Sequence, residues 1–555
     1  MHPRVLILSA FVLLLLTPAA FCSSPPLMWN QQFGDESWAS GTSVAVDASG
    51  NVFLAGAFAG KVDFGGGELA SVGDEDIFLA KFDPNGHHLW SRQVGDTCFT
   101  GAQSIAVDAS GNVFLAGSFG GKLDFGGGPL VSAGGYDIFV AKFDPSGTHL
   151  WSRRFGDTDD YQEALGVAAD PSGAVVVAGY FRGTVDFGGG PLVSVGGEDV
   201  FVAKLQPNGD HVWSRRFGDG DWQVARSVTV SAVGNVLFTG EFYGTVDFGG
   251  GLLASAGSGD IFIAMLNASG TYVWSRRYGD AEWQESWAVA TDPSRNIFIA
   301  GDFDGVVNFG KGPLVSNGGD IFVAKFNSNG NEWSRRFGDA DYQHAQSLAA
   351  DLLGNVYLTG YFVGTLDFGG GPLMQAGSTY DLYLVKFDPS GAHVWSRKFG
   401  DVDWEETRSV AVDQSGNTIL TGSFGGALSF GNASLVCNGD SDVFLAKFAP
   451  PGVYTAVLPS PVGRRVAIHP NYPNPFNPGT TIPFSLPSDG TASLAIYDVS
   501  GRMVRTLVAE PKTAGEHVAS WNGRDDGGSL VASGVYLVRI EAGGQAATRK
   551  ILFLK

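Results

Sequence analysis

The sequence predicts an all-β chain, a seven-bladed β-propeller followed by a small β-sandwich, and three observations predict it. A tryptophan-bearing phrase recurs seven times at near-constant spacing. Each repeat divides into four short strands. The two ends of the repeat array are complementary, so that they would close a ring. The composition agrees: 80 glycines and 12% aromatic residues, with only 16% charged, suit short strands joined by tight turns.

The repeat is the primary signal. Trp29, Trp90, Trp151, Trp213, Trp274, Trp333 and Trp395 are spaced, by subtraction, 61, 61, 62, 61, 59 and 62 residues apart. One unit runs from Ser104 to Asp157. Strand a is expected at 104–108 and strand b at 112–119, with Ala109-Ser110-Gly111 between them as a turn in which glycine supplies positive φ. A glycine-rich segment, 120–135, leads to strand c at 137–144. The turn Pro145-Ser146-Gly147 then gives strand d at 148–155. Four antiparallel strands repeated in tandem make a propeller blade. A solenoid would need atypical capping units at both ends, whereas here the ends complete one another. The last unit stops after its strand c (442–448), and the first tryptophan strand (27–33) has no a, b or c strand before it. The orphan strand would complete the last blade and remove the exposed edges of an open array.

Within the repeat, the tryptophan on strand d is expected to pack between neighbouring blades. The paired arginines that follow it, such as Arg153-Arg154 and Arg215-Arg216, are expected to pair with acids on the outer blade surface. These motifs (Gly111-Asn112-Val113-Phe114-Leu115-Ala116-Gly117, Leu123-Asp124-Phe125-Gly126-Gly127-Gly128 and Asp137-Ile138-Phe139-Val140-Ala141-Lys142) resemble the bacterial beta-propeller repeat family over about residues 27–450. That resemblance implies a fold and no single activity.

The remaining elements follow in order. Arg4 precedes an apolar run from Val5 to Leu16, long enough for a signal-peptide core and too short for a span of ~20 residues. Residues 1–22 are therefore expected to be a signal peptide cleaved before Ser23; lipidation of Cys22 is the alternative. The propeller is expected at 23–449, a proline-rich linker at 450–465 and the β-sandwich at 466–555, with strands at 481–486, 492–498, 504–508, 517–521, 534–541 and 547–553. Here Asn471-Tyr472-Pro473-Asn474-Pro475-Phe476-Asn477-Pro478, Ile496-Tyr497-Asp498-Val499-Ser500-Gly501-Arg502, Trp521-Asn522-Gly523-Arg524-Asp525 and Ala532-Ser533-Gly534-Val535-Tyr536 resemble the C-terminal sorting domain of type IX secretion cargo. They are also similar to the Ig-like domain of flagellar hook-capping proteins. The first resemblance implies a protein carried across the outer membrane, then released or anchored, with the secretion machinery as a partner. The plain alternative is an Ig-like spacer.

Charge narrows the partners. The chain carries −21 overall. Residues 464–555 hold ten Lys/Arg against seven Asp/Glu, or +3, which leaves −24 on the rest. So acidic a surface repels nucleic acid and anionic lipid, and a monomer is expected. The three cysteines have no metal spacing. Cys98 and Cys437 are isolated thiols or, if the ring closes, a staple between the first and last blades.

The candidate site is the set of loops from strand d to the next strand a. Each carries an aromatic residue: Trp38, Phe99, Tyr161, Trp222, Trp283, Tyr342 and Trp404. Carboxylates recur beside them, among them Glu36, Asp159, Asp160, Asp221, Glu282, Asp341 and Asp403. All these loops would lie on one face of the disc. Aromatic platforms flanked by acceptors suit sugar rings or a protein docking face, and seven weak sites suit a multivalent ligand. Packing across the blade junction is the competing role. A calcium site between Asp63, Asp124, Asp186, Asp247 or Asp367 and Asp76, Asp137, Asp199, Asp260 or Asp381 is weighed against turn and edge roles, which are favoured; no other cofactor is expected. The GGG segments lack the Lys-Ser/Thr and helix of a phosphate loop. No catalytic constellation stands out, because an enzyme site must break the symmetry of the repeat. An exported binding protein for glycan or protein ligands is the leading reading; a propeller enzyme acting on polysaccharide and a structural surface-layer component are the alternatives.

Overall fold

The structure is a computed structural model that describes residues 25–95, 100–158, 161–377, 379–401, 403–431, 434–450, 466–468, 476, 479–486, 490–513, 515–543 and 545–554. The expected signal segment, Cys98, Phe99, Asp159, Asp160 and most of the linker lie outside the described residues. The chain divides into two units, one ending at Pro451 and one beginning at Gly452.

The first unit is all β, built from four-stranded antiparallel sheets in the order a-b-c-d. Seven such sheets occur among its described residues. The first sheet comprises Ala39–Val46, Val52–Phe58, Asp76–Phe82 and His88–Val94. The second to sixth lie within 100–155, 162–217, 223–278, 284–337 and 343–399. The seventh takes Glu405–Val412, Thr418–Phe424 and Asp442–Phe448 from the end of the array and Leu27–Phe33 from its start. That N-terminal strand runs antiparallel to Asp442–Phe448, with Gln32 opposite Phe444 and Phe33 opposite Val443.

Strand a is longer than the alternation of apolar residues suggested: in the second sheet it spans Thr100–Val107, not 104–108. Its early residues still pair with strand b across a bulge between Ala102 and Ser104, so backbone bonding extends it where apolar periodicity is absent. The glycine-rich segment also holds a two-stranded ribbon, Lys122–Leu123 with Leu130–Val131.

Each strand a packs beside strand a of the adjacent sheet, and Ala39–Val46 lies beside both Thr100–Val107 and Glu405–Val412. A serine marks several of these junctions. Ser43 Oγ accepts the Ile105 amide at 3.2 Å, Ser104 that of Val167 at 3.2 Å, and Ser347 that of Val410 at 3.2 Å. Ser409 of the seventh sheet accepts the Val44 amide of the first at 3.1 Å. Apolar clusters fill the spaces between sheets. One of them joins Phe33, Ile419, Val443 and Leu445 of the seventh sheet to Val52, Phe58 and Phe78 of the first. Each fully buried phenylalanine stabilises such a junction by roughly 1.5–3 kcal/mol.

The tryptophans on strand d lie at these junctions as expected. The Trp151 indole donates to Pro207 O at 2.8 Å and the Trp333 indole to Pro389 O at 3.1 Å, each in the following sheet. The arginines meet the expectation in part: they pair with acids, and Arg153 lies 3.8 Å from the exposed Asp210. The first of each pair lies over the tryptophan of its own strand, with Arg215 5.9 Å from the Trp213 ring centre. The second pairs with a buried aspartate at the start of strand c, as Arg154 does with Asp137 and Arg216 with Asp199. These carboxylates are buried rather than on the outer surface, because strands c and d are neighbours and the arginine spans between them.

The second unit holds a three-stranded sheet (Ala467–Ile468, Thr480–Leu486, Gly515–Trp521) and a four-stranded sheet (Met503–Lys512, Gly490–Asp498, Gly534–Ala542, Gln545–Phe553). Trp521 sits at the centre of one core with Phe476, Ile496, Tyr536 and Phe553. Its indole donates to Arg524 O at 2.8 Å. No helix among the described residues is long and apolar enough to cross a membrane.

Candidate functional site

The loops from strand d to strand a are shaped by the aspartate of their Gly-Asp opening. Asp219 Oδ1 accepts the Asp221 amide at 2.9 Å and Gln223 Nε2 at 2.9 Å, while Oδ2 accepts the Thr245 amide at 2.7 Å. The loop is thereby tied to the ribbon that follows strand b. Asp280 repeats the arrangement with Glu282, Gln284 and Val306, and Asp339 with Asp341, Gln343 and Thr365. The glutamines are fully buried. In the seventh sheet Glu405 takes the glutamine position, and burial, with Asp381 and Asp401 nearby, lifts its carboxyl to about 8.

This clamp positions the expected carboxylates. Asp221, Glu282, Asp341 and Asp403 are exposed and lie against a glycine in the turn that follows strand b of the same sheet. Gly244 has φ +65°, and a Cβ there would fall 2.1 Å from Asp221 Oδ2; at Gly426, with φ +64°, it would fall 1.8 Å from Asp403 Oδ2. Only glycine meets both demands.

The aromatic residues stand beside them, part packed and part open. Trp222, Tyr342, Trp404 and Tyr161 are 37%, 37%, 38% and 45% exposed, while Trp38 and Trp283 are half-buried. Trp222 rests 5.7 Å from Tyr243 and Tyr161 5.1 Å from Tyr136, ring centre to ring centre. Packing and solvent exposure therefore fall on the same side chains. Tyr342 differs, since its hydroxyl turns inward to Asp302 Oδ2 at 3.3 Å.

The aspartates weighed as calcium ligands take turn and edge roles. Asp63 Oδ1 accepts the Gly65 and Gly67 amides at 2.7 and 3.1 Å, and Asp76 Oδ2 accepts the Val72 amide at 3.0 Å. No cluster of three potential metal ligands occurs among the described residues. Cys437 Sγ donates to Gly439 O at 3.4 Å; a staple to Cys98 falls outside the described residues.

The structure adds a set of residues that the motif search passed over. A cavity of about 640 Å³ opens between the a strands and is lined by all seven sheets, with Thr42, Gln103, Glu163, Arg226, Trp287 and Arg408 among its walls. Its chemistry is lopsided. The first two sheets contribute mainly small residues, Ser40, Ala57, Gly101 and Ala102, with Trp38 and Glu75 beside them. The later sheets contribute charge and aromatic surface. Arg226 Nη2 lies 2.9 Å from Glu241 Oε1 and its Nε 2.6 Å from Glu285 Oε1, with the guanidinium 4.5 Å over the Trp287 ring. His344 Nδ1 donates to Asp302 Oδ2 at 3.1 Å, and Arg408 pairs with Glu406 at 2.8 Å. Burial, reinforced by Glu241, holds the Glu285 carboxyl far above the usual range. Burial also raises Glu163, and it lifts Glu75 to about 7.

A signal for this cluster was present in the sequence. The second residue of strand a is Ser40 or Gly101 in the first two sheets but Glu163, Glu285, His344 and Glu406 in later ones. Opposite it, the penultimate residue of strand b changes from Ala57 and Ser118 to Tyr180, Glu241, Asp302 and Tyr361. These positions vary where nearly everything else is copied. They mark the place where the repeat breaks its symmetry.

Comparison with known proteins follows the two units. Residues 332–361 match the family described as Beta-propeller repeat, and residues 476–545 match the FlgD Ig-like domain. An uncharacterised WD repeat-containing protein of Acanthamoeba polyphaga mimivirus is 23% identical over 81% of this chain and 40% of its own length. The regulatory protein FlaEY of Caulobacter vibrioides is 28% identical over 33% of this chain and 20% of its own. The chain thus spans less than half the length of these curated relatives. Among solved structures, PorZ of Porphyromonas gingivalis, a surface component of its type IX secretion system, aligns over 94% of this chain and 74% of its own at 13% identity and a TM-score of 0.32. A Lactobacillus plantarum protein aligns over 73% of this chain and 98% of its own at 11% identity and a TM-score of 0.30. The matches thus place a segment similar to a beta-propeller repeat in the first unit and one similar to a FlgD Ig-like domain in the second.

Proposed function

We propose that this is an exported binding protein whose first unit is a closed seven-bladed propeller with one recognition face for a glycan or protein ligand. The observation that carries the reading is the ring of part-exposed aromatics, Trp222, Tyr342 and Trp404 among them, beside carboxylates fixed by the Gly-Asp clamp. Large apolar rings left open beside oriented acceptors are costly to leave in water and suited to stacking on a partner. The second unit delivers the propeller to the cell surface, as a sorting domain or a flagellar-type Ig-like module. Export through a signal segment at 1–22 belongs to the same reading.

The test is an array of glycans and surface proteins presented to the full chain. Saturable binding without turnover supports the reading, and silence across the array removes its glycan half. A second reading, an enzyme acting on polysaccharide, draws on the acids of the channel. Glu241 and Glu285 are 1% and 4% exposed and closed off by Arg226, which leaves Glu163 and Glu75 as the acids that line the cavity. Released sugar in the array supernatant would favour it.

A further inference from the structure

We propose that the channel cavity is a single binding site for a neutral, hydroxyl-rich ring, a mono- or disaccharide. The proposal rests on the reading of the propeller as a glycan binder and adds to the rim, which meets the polymer, a separate channel site for a small sugar. Three observations carry it.

The first is number. The rim loops repeat, so any site they form is repeated. The channel residues do not repeat: the fourth residue of strand a, which lines the cavity in every sheet, runs Thr42, Gln103, Leu165, Arg226, Trp287, Gln346 and Arg408. The cavity they line is therefore one site per chain.

The second is room. Ser40, Ala57, Gly101 and Ala102 leave room on the side of the first two sheets, between Trp38 and Glu75, opposite the larger residues of the later sheets. The volume of about 640 Å³ falls within the roughly 300–1,000 Å³ of small-molecule sites. The empty half accepts the body of a ring while the charged half contacts its edge.

The third is the kind of polarity. Each cation of the wall already has its counter-charge: Arg226 has Glu241 and Glu285, and Arg408 has Glu406. An anionic ligand would lose its hydration without gaining an uncompensated cation, and burial disfavours the charged forms of the two lining acids, raising Glu163 and lifting Glu75 to about 7. A hydroxyl fits better, because it donates to a carboxylate and accepts from a guanidinium or amide at once, and hydrogen bonds to ionised groups are the stronger kind. The wall offers this mixture through Glu163, Gln103, Gln346, Arg226 and Arg408. Trp287 adds apolar surface for the C–H face of a sugar. The burial that raises Glu163 agrees with a ligand that brings no cation. Because the pairs hold one another in place, the wall is organised before the ligand arrives.

The test is calorimetric titration of the full chain with cellobiose, maltose, chitobiose and xylobiose, with glucosamine and glucuronic acid as charged comparators. At least one neutral disaccharide is expected to bind at one per chain, more tightly than either charged sugar. Gln103→Trp fills the cavity from the side of the first two sheets without removing an ion pair, and should weaken binding about tenfold or more at unchanged melting temperature. Should that variant fail to fold, Arg408→Gln decides: it removes one donor from a part-exposed pair and should weaken binding by about threefold. The triple variant Trp222→Ala, Trp283→Ala, Trp404→Ala should leave disaccharide binding within about twofold. Loss of binding in the triple variant, with the channel variants unaffected, would overturn the channel assignment and keep the glycan reading. Tighter binding of a charged sugar, or several sugars per chain, would also overturn it. Silence with every sugar here would overturn this inference, whereas the glycan reading falls only if the glycan array is silent as well.

Discussion

The Trp29 indole, four residues into the described chain, donates to the Pro84 carbonyl at 3.0 Å. Trp90 makes the same bond to Pro145 and Trp151 to Pro207. The contact that joins the first sheet to the second and the second to the third therefore recurs between the seventh sheet and the first, beside the Ser409–Val44 bond. If these contacts close the ring, residues 25–33 are a structural lock. Their deletion should destabilise the first unit and expose the edge of Asp442–Phe448, giving oligomers by size-exclusion chromatography. Trp29→Ala alone should cost about 1–3 kcal/mol in urea unfolding, less than a fully buried tryptophan because this ring is part exposed. An unaltered unfolding midpoint in the deletion would show that closure contributes nothing.

Glu405→Gln should stabilise the protein, and increasingly so as pH rises. The Glu405 carboxyl sits where other repeats place a buried glutamine, and its folded value of about 8 lies above its ordinary 4.5. The folded state therefore holds the proton more tightly than the unfolded state does. Stability from this group is present below pH 4.5 and is lost as pH rises through 8. Melting curves of the two proteins should nearly coincide at pH 4 and diverge up to pH 8–9. After allowance for relaxation of the loop around the buried carboxyl, the gap is on the order of 1–2 kcal/mol. A gap that narrows with pH would contradict the assignment.

Asp280→Ala should loosen one rim loop. It removes the acceptor for the Glu282 and Val306 amides and for Gln284 Nε2, and leaves the buried glutamine short of a partner. The expected cost is about 1–3 kcal/mol. Hydrogen exchange should rise at 280–284 and 304–306 while the other sheets stay protected.

The triple variant Trp222→Ala, Trp283→Ala, Trp404→Ala separates the two roles of the rim. If the rings serve recognition, polymeric ligand is lost from the array while the circular dichroism spectrum and melting temperature hold. Their part exposure limits the packing loss. A collapse in melting temperature would mark them as packing residues.

Deletion of residues 466–555 should leave the first unit folded and move it, on cell fractionation, from the surface to the periplasm. Normal surface delivery would remove the sorting role. Within the second unit, Trp521→Ala should cost about 3–5 kcal/mol, since the indole is 1% exposed at the centre of the core.

The sequence by itself determined the repeat, the four-strand division of each unit, the strand that returns to complete the last sheet, and the strands of the second unit to within a few residues. Period-2 alternation and turn residues are local properties, and a repeat states them seven times over. It also marked the rim aromatics and carboxylates. Only the tertiary structure decided what those residues touch: that the Gly-Asp carboxylate clamps the loop, that Arg154 reaches a buried Asp137, and that Tyr342 turns inward to Asp302. Arg226 and Glu241 sit on paired strands of one sheet, but Glu285, 59 and 44 residues from them in sequence, reaches both only because strand a of the next sheet packs beside theirs. No local pattern carries that information, since the contact depends on how neighbouring sheets stand around a common cavity.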